Sequence, residues 1–214
     1  MLNVQGITMN PFQENTYIIW NAAQEAIIID PGCYTDAEKQ FLQNFITEKS
    51  LQPVMLVNTH CHLDHVFGNQ WVHETYGLTL HIHPQEAIML EHAPASGAKW
   101  GVPFEPYTGT VTYVNEGTQL KLGNNTLDIL FVPGHSPGHI CLYNAADNWL
   151  IAGDTLFKES IGRTDLPLGD HDTLLHAIRS QLFVLPDDTV VLPGHNDATT
   201  IGHEKKYNPF LQMP

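Results

Sequence analysis

Runs of β-branched and aromatic residues alternate along the chain with polar, turn-forming stretches, and they predict most of its elements. Residues 4–9 (VQGITM), 16–20 (TYIIW) and 25–30 (EAIIID) read as short strands. Asp30-Pro31-Gly32 stops the third. Phe41, Leu42, Phe45 and Ile46 then recur at helical spacing, which predicts a helix capped by Thr35 or Asp36 and closed at Lys49 and Ser50. VMLVN (54–58) is a continuous apolar run and reads as a buried strand. After it, residues 66–77 predict a helix ended by Gly77, 78–83 a strand, and 85–92 a helix with Pro84 in its first turn. Residues 93–109 show no periodicity and read as a loop.

The second half starts as a run of strands: TVTYV, TQLKL, TLDILFV, HICLYN and WLIAG. A long loop is expected over 155–170, then a helix from about Asp170 and a last buried strand, TVVLPG (189–194). The tail after His195 is too short for another domain. This order is not a regular β-α-β alternation. It predicts an α/β (α+β) chain of two mixed sheets with helices outside, in a single domain over 1–214.

Composition narrows the partners. Hydrophobic residues make up 43% of 214 and charged residues 15%, which suits a globular chain. The formal net charge of −14 comes from 23 acids against 9 Lys and Arg. Nucleic acid and anionic membrane surfaces both need clustered cations, so neither is expected as a partner. Three cysteines, Cys33, Cys61 and Cys141, form no disulfide framework and fit a reducing compartment. The N-terminus has no basic leader followed by an apolar run, and the expected location is the cytoplasm.

The 13 histidines outnumber Lys and Arg together. Four metal-ligand types fall in one hexapeptide, His60-Cys61-His62-Leu63-Asp64-His65, directly after a predicted buried strand. In an extended segment residues 60, 62 and 64 point to one side, and His65 opens the next helix. His135, Asp154 and His195 likewise follow the ends of predicted strands. Imidazole and carboxylate suit zinc, iron and manganese, and seven ligands exceed one tetrahedral zinc. Two divalent ions sharing one carboxylate are therefore expected, with Zn2+, Fe or Mn all admissible. His139 is a candidate to hydrogen-bond beside His135. Cys61, on the opposite side from its neighbours, reads as a small buried hydrophobe.

Thr59-His60-Cys61-His62-Leu63-Asp64-His65 resembles the signature of the metallo-β-lactamase superfamily. Asp30, Pro133-Gly134-His135, Gly153-Asp154 and Pro193-Gly194-His195 match its other motifs in the same order. The resemblance implies the αββα four-layer sandwich. It places one metal on His60, His62 and His135, the other on Asp64, His65 and His195, with Asp154 bridging. Within the superfamily the chain is more similar to the compact bacterial branch of the glyoxalase II (hydroxyacylglutathione hydrolase-like) group. The residues that carry this are Gly153-Asp154-Thr155-Leu156-Phe157, Gly162-Arg163-Thr164-Asp165 and the terminal Thr199-Thr200-Ile201-Gly202 with Glu204, Asn208, Pro209 and Phe210. With so short a tail after His195, a separate helical C-terminal domain like that of full-length glyoxalase II is not expected. Where the compact members continue Gly-His-Gly-Pro, this chain has Gly194-His195-Asn196-Asp197.

That resemblance implies a metallo-hydrolase acting on a small, anionic thioester, with Asp64 as the catalytic group that orients the attacking hydroxide. An alternative it also implies is a persulfide dioxygenase, holding one iron by His60, His135 and Asp154; phosphodiesterase and lactamase readings rank below both. Two positions stay open at this level. Asp30 either braces a ligand or merely caps its turn. Arg163 either binds the substrate's carboxylate or pairs with Asp165 or Asp170.

Overall fold

A computed structural model describes residues 1–212, and its chain divides into two compact units. The first comprises Met1–Val114 with Lys121–Asn125; the second comprises Asn115–Leu120 and the chain from Thr126 onward.

The first unit is built on a six-stranded mixed sheet. Its strands are β1 (Asn3–Met9), β2 (Glu14–Trp20), β3 (Glu25–Ile29), β4 (Gln52–Val57), β5 (Leu80–Ile82) and β6 (Val111–Tyr113), in that spatial order. β1, β2 and β3 pair antiparallel, and β3 through β6 pair parallel. The C-terminal ends of β3, β4 and β5 therefore share one edge, where α/β sheets commonly carry their ligands. Helix α1 (Asp36–Glu48) has the predicted start: Thr35 and Glu38 form a reciprocal capping box, worth about 1 kcal/mol. Leu42 and Ile46 of α1 pack into a core with Ile18, Ile28, Leu56, Leu80 and Ile82.

Residues 63–77 form two helices rather than the one predicted: α2 (Leu63–Val66) and α3 (Asn69–Tyr76). The break falls at Gly68. Its amide donates to the Pro31 carbonyl at 2.7 Å, and a Cβ there would run into Cys33 Sγ. Gly77 ends α3 in the left-handed region, as predicted. The expected loop from 93 is also corrected. Helix α4 (Ala87–Lys99) continues through Pro94, which removes one hydrogen bond at a cost of about 3 kcal/mol. Burial of Met89, Ala93 and Gly97 along one stripe outweighs it, with Gly97 pressed against the Phe104 ring.

A second six-stranded sheet, drawn almost wholly from the second unit, comprises β7 (Gln119–Leu122), β8 (Asn125–Phe131), β9 (Ile140–Asn144), β10 (Trp149–Gly153), β13 (Val190–Pro193) and β14 (Thr199–Thr200), in the order β14-β13-β10-β9-β8-β7. β9 runs antiparallel to both β8 and β10, and β13 runs parallel to β10. So β8, β10 and β13 point the same way, and their C-terminal ends share an edge. The predicted loop 155–170 is not structureless. It opens with a small hairpin, β11 (Leu156–Phe157) and β12 (Ser160–Ile161). Helix α5 (His171–Ala177), capped by the Asp170 side chain, runs on into a π-helical turn at Ile178–Leu182. The tail adds β14 and helix α6 (Ile201–Tyr207), capped by Thr200. Leu150, Leu174, Ile178, Leu182, Val191 and Ile201 form this unit's core. No helix among the described residues is long and apolar enough to cross a membrane.

Candidate metal centre

In the first unit the chain leaves β4 and crosses the sheet edge as Asn58-Thr59 before reaching the hexapeptide. Asp30, one residue past β3, takes a left-handed φ of 48°, which Asp tolerates better than most residues. Its buried carboxylate faces the neighbouring strand's exit. Oδ1 accepts from the Thr59 amide at 2.7 Å, and Oδ2 accepts from the Thr59 hydroxyl at 2.6 Å and faces His65 Nδ1 at 3.1 Å. Because the Thr59 hydroxyl donates its hydrogen bond to Asp30, its oxygen accepts from His60 Nδ1, 3.1 Å away. Both imidazoles thus present Nε2 as the lone-pair nitrogen. The rings lie close, with centroids 4.1 Å apart for His60 and His65 and 4.9 Å for His60 and His62.

Asp64 is not part of an extended stretch. It sits in the first turn of α2, whose N-cap is His62, so helix geometry rather than strand alternation aims it. Its carboxylate lies 3.9 Å from His65 Nε2, and its backbone carbonyl accepts from Asn10 Nδ2 at 3.0 Å. His65 is the third residue of α2, not its opening, and its carbonyl accepts from Asn58 Nδ2 at 2.8 Å.

Two buried acids escaped the sequence reading. Glu86 accepts the Cys61 amide at 2.8 Å and so holds the backbone between His60 and His62. Glu14 accepts from Thr16 Oγ1 at 2.9 Å, while its Oε1 is buried without a hydrogen-bond partner, 3.9 Å from His65 Nδ1. Burial pushes the Glu14 carboxyl well above the usual carboxylate range, against the opposing pull of His65. The signal available was weak: an acid at the polar start of a strand that turns apolar, and one two residues after Pro84. Cys61 is buried, and its thiol is raised well above the ordinary value by burial and then by Glu86.

In the second unit His135, Asp154 and His195 follow β8, β10 and β13, the three strands that point the same way. Asp154 Oδ2 stands 3.5 Å from His135 Nε2 and 3.5 Å from His195 Nε2. One carboxylate oxygen therefore lies equidistant from two imidazole nitrogens. His135 Nδ1 donates to the Arg163 carbonyl at 2.7 Å, which again leaves Nε2 as the donor atom toward a metal. His139 is buried, and its Nε2 accepts the Asp154 amide at 3.0 Å. Gly134 permits the tight passage before His135: its φ is 126°, and a Cβ would strike the Leu174 backbone. The Gly194 amide donates to the Gly153 carbonyl at 2.7 Å, tying the ends of β13 and β10. Asn196 sits at φ 64°, and Asn is among the side chains that best tolerate that region after Gly.

Arg163 presents its carbonyl, not its guanidinium, to His135. The guanidinium points outward in a two-bond pair with Asp165, Nε to Oδ1 at 2.7 Å and Nη2 to Oδ2 at 2.8 Å. That pair holds the exposed Asp165 carboxyl down at about 2. Phe157 meets the His195 ring edge-on at 6.2 Å. Tyr107 is occupied structurally, donating to Thr110 and accepting from the Leu80 amide.

The donor set fits divalent ions in kind. Each unit offers imidazole Nε2 atoms and an anionic oxygen, with the tautomer of His65 fixed by the Asp30 carboxylate, that of His60 by the Thr59 hydroxyl and that of His135 by the Arg163 carbonyl. The family model of the metallo-β-lactamase superfamily matches residues 9–195. The chain belongs to that superfamily. Its two mixed sheets with flanking helices are the αββα sandwich class, and membership makes it a metal-dependent hydrolase of a superfamily with dinuclear centres. Over 212 residues it is 36% identical to the hydroxyacylglutathione hydrolase GloC of Haemophilus influenzae, with 98% of each chain covered. The crystal structure of the B3 metallo-β-lactamase BLEG-1 matches with a TM-score of 0.90 and 35% identity, over 99% of this chain and all of that one. The structure of TTHA1623 in a di-iron-bound form matches with a TM-score of 0.88 and 34% identity, over 97% of this chain and all of that one.

Proposed function

We propose that this chain is a dinuclear metal-dependent thioester hydrolase that cleaves a small anionic substrate of the hydroxyacyl-glutathione kind. The observation that carries the two-ion reading is Asp154 Oδ2, equidistant from the nitrogens of His135 and His195. A single oxygen so placed suits a bridge. His60, His62 and His135 would hold one ion, Asp64, His65 and His195 the other, with Asp154 shared. Zinc, iron and manganese all suit these ligands.

When bound, the ions supply Lewis acidity, acidifying a water toward neutral pH and polarising the substrate carbonyl. The chain's own residues do the rest. Asp64, fixed by the first turn of α2 and by Asn10, accepts the hydrogen bond that orients the attacking oxygen. Asp30 and the Arg163 carbonyl hold His65 and His135 in the tautomer that presents Nε2. A thiolate departs with a pKa near 8.5, so its expulsion needs no strong general acid. Arg163 is the cation we assign to the substrate's carboxylate, in exchange for Asp165. The support for a thioester is the GloC relative; a B3 lactamase at nearly the same identity makes substrate choice a matter for assay.

The test pairs metal analysis with a panel of a hydroxyacyl-glutathione, a β-lactam, a phosphodiester and a persulfide. Two ions per chain and release of free thiol are expected. One iron per chain with oxygen uptake on the persulfide would overturn the proposal.

A further inference from the structure

The terminal stretch Thr199–Phe210 contains a third wholly buried acid, Glu204, which touches none of the proposed ligands. A carboxylate out of water is costly unless donors surround it. Glu204 has three, two from its own terminal stretch and one from the distant Glu159. Oε1 accepts from Thr199 Oγ1 at 2.5 Å; Oε2 accepts from the Glu159 amide at 2.9 Å and from Asn208 Nδ2 at 2.8 Å. Asn208 Nδ2 also donates to the Ser160 carbonyl at 2.9 Å. Glu204 and the C-cap Asn208 thus hold one amide and one carbonyl where β11 turns into β12, a turn in which Glu159 takes a left-handed φ of 56°.

The turn is the anchored end of a short strap. Beyond β12, the Gly162 amide donates to Thr155 at 3.1 Å, and a Cβ on Gly162 would run into the Asp154 carbonyl. The next residue, Arg163, supplies the carbonyl that takes the His135 Nδ1 proton. Two residues therefore separate the gripped Ser160 from Arg163, whose carbonyl orients His135. We infer that Glu204 is a positioning residue: through the β11–β12 turn it fixes where the Arg163 carbonyl stands, and so the direction in which His135 presents Nε2. An aliphatic residue would fill the same core position at lower cost. The carboxylate supplies the acceptors that this turn's amide and the Asn208 amide require.

This inference rests on His135 being a metal ligand, yet its test does not depend on the substrate. The full chain is loaded with zinc, and the His135 Nδ1 proton is followed by NMR, assigned by its loss in His135→Gln. Glu204→Gln keeps the volume but turns a donor toward donors. Exchange of that proton is expected to quicken at least tenfold, and a chelator should extract the first zinc about tenfold more readily. Thr199→Val is the control. It removes a donor from Oε1 and leaves the turn gripped, so its Tm should fall while the proton and the zinc stay as in the parent. Should Glu204→Gln fail to fold, Asn208→Ala, which frees the Ser160 carbonyl, gives the same reading. Unchanged exchange and zinc release in Glu204→Gln, or equal changes in Thr199→Val, would overturn the inference. A parent that binds zinc but cleaves no thioester overturns the proposed function alone.

Discussion

The two units provide ligands in opposite ways. The first gathers four within one hexapeptide and braces it with side-chain acids: Asp30 behind His65 and, through the Thr59 hydroxyl, behind His60, and Glu86 on the intervening backbone. The second draws one ligand from each of three strands and braces them mainly with backbone and glycine: the Arg163 carbonyl, the tie between Gly194 and Gly153, and the flush contact of Gly162. A compact cluster needs its side chains aimed, which neighbouring acids can do. A dispersed one needs its strands held at one edge, which backbone contacts do. Damage to a side chain should therefore hurt the first half most, and damage to backbone geometry the second.

The largest effect expected is from His62→Ala. It should abolish hydrolysis by at least about a thousandfold and lower metal content, while circular dichroism stays that of the parent. Retained activity would remove His62 from the first ion. Gly162→Ala should come next, because its Cβ has to displace the Asp154 backbone. Loss of about one ion per chain is expected, since Asp154 and His135 both shift. A chain that keeps both ions would mean that the second half tolerates backbone movement. Asp30→Asn tests the first half's bracing. It leaves the fold's shape but gives Oδ2's place to an amide that cannot accept from both Thr59 and His65. Metal affinity should drop about 10- to 100-fold. Stability should fall by about 1–3 kcal/mol in a denaturant titration.

Much of this contrast could be read from the sequence, and unevenly. The hexapeptide announces itself because four ligand types in six residues need no fold to bring them together. His135, Asp154 and His195 were legible only through the strands before them, whose apolar runs fixed where each chain segment leaves its sheet. What stayed hidden was the bracing. Glu14, Glu86 and Glu204 look like ordinary surface acids, because burial depends on partners far along the chain. Asp64 was misplaced by assuming an extended hexapeptide, when a helix begins at Leu63. The lack of periodicity from residue 93 suggested a loop, since the pattern carries no record of the small buried residues, Ala93 and Gly97, that keep α4 going through Pro94. Arg163 was noticed for its charge, but its carbonyl does the bracing, and backbone roles leave no trace in residue type.

The smallest expected effect concerns that same Arg163, whose backbone and side chain have been given separate tasks. Its guanidinium is matched by Asp165, and both groups are exposed, so the pair adds little stability. Asp165 has its folded pKa lowered to about 2. Its contribution is therefore present above the unfolded value near 3.9 and is lost only as the pH falls toward 2. At neutral pH, Asp165→Asn should shift Tm by no more than about 2 °C. If the fork then serves the substrate, KM for an anionic thioester should fall a few-fold with kcat unchanged, because one competing carboxylate is gone. KM for a neutral thioester should stay put. An equal change for both substrates would mean that the side chain acts only on its loop, leaving the carbonyl as the part of Arg163 that the centre uses.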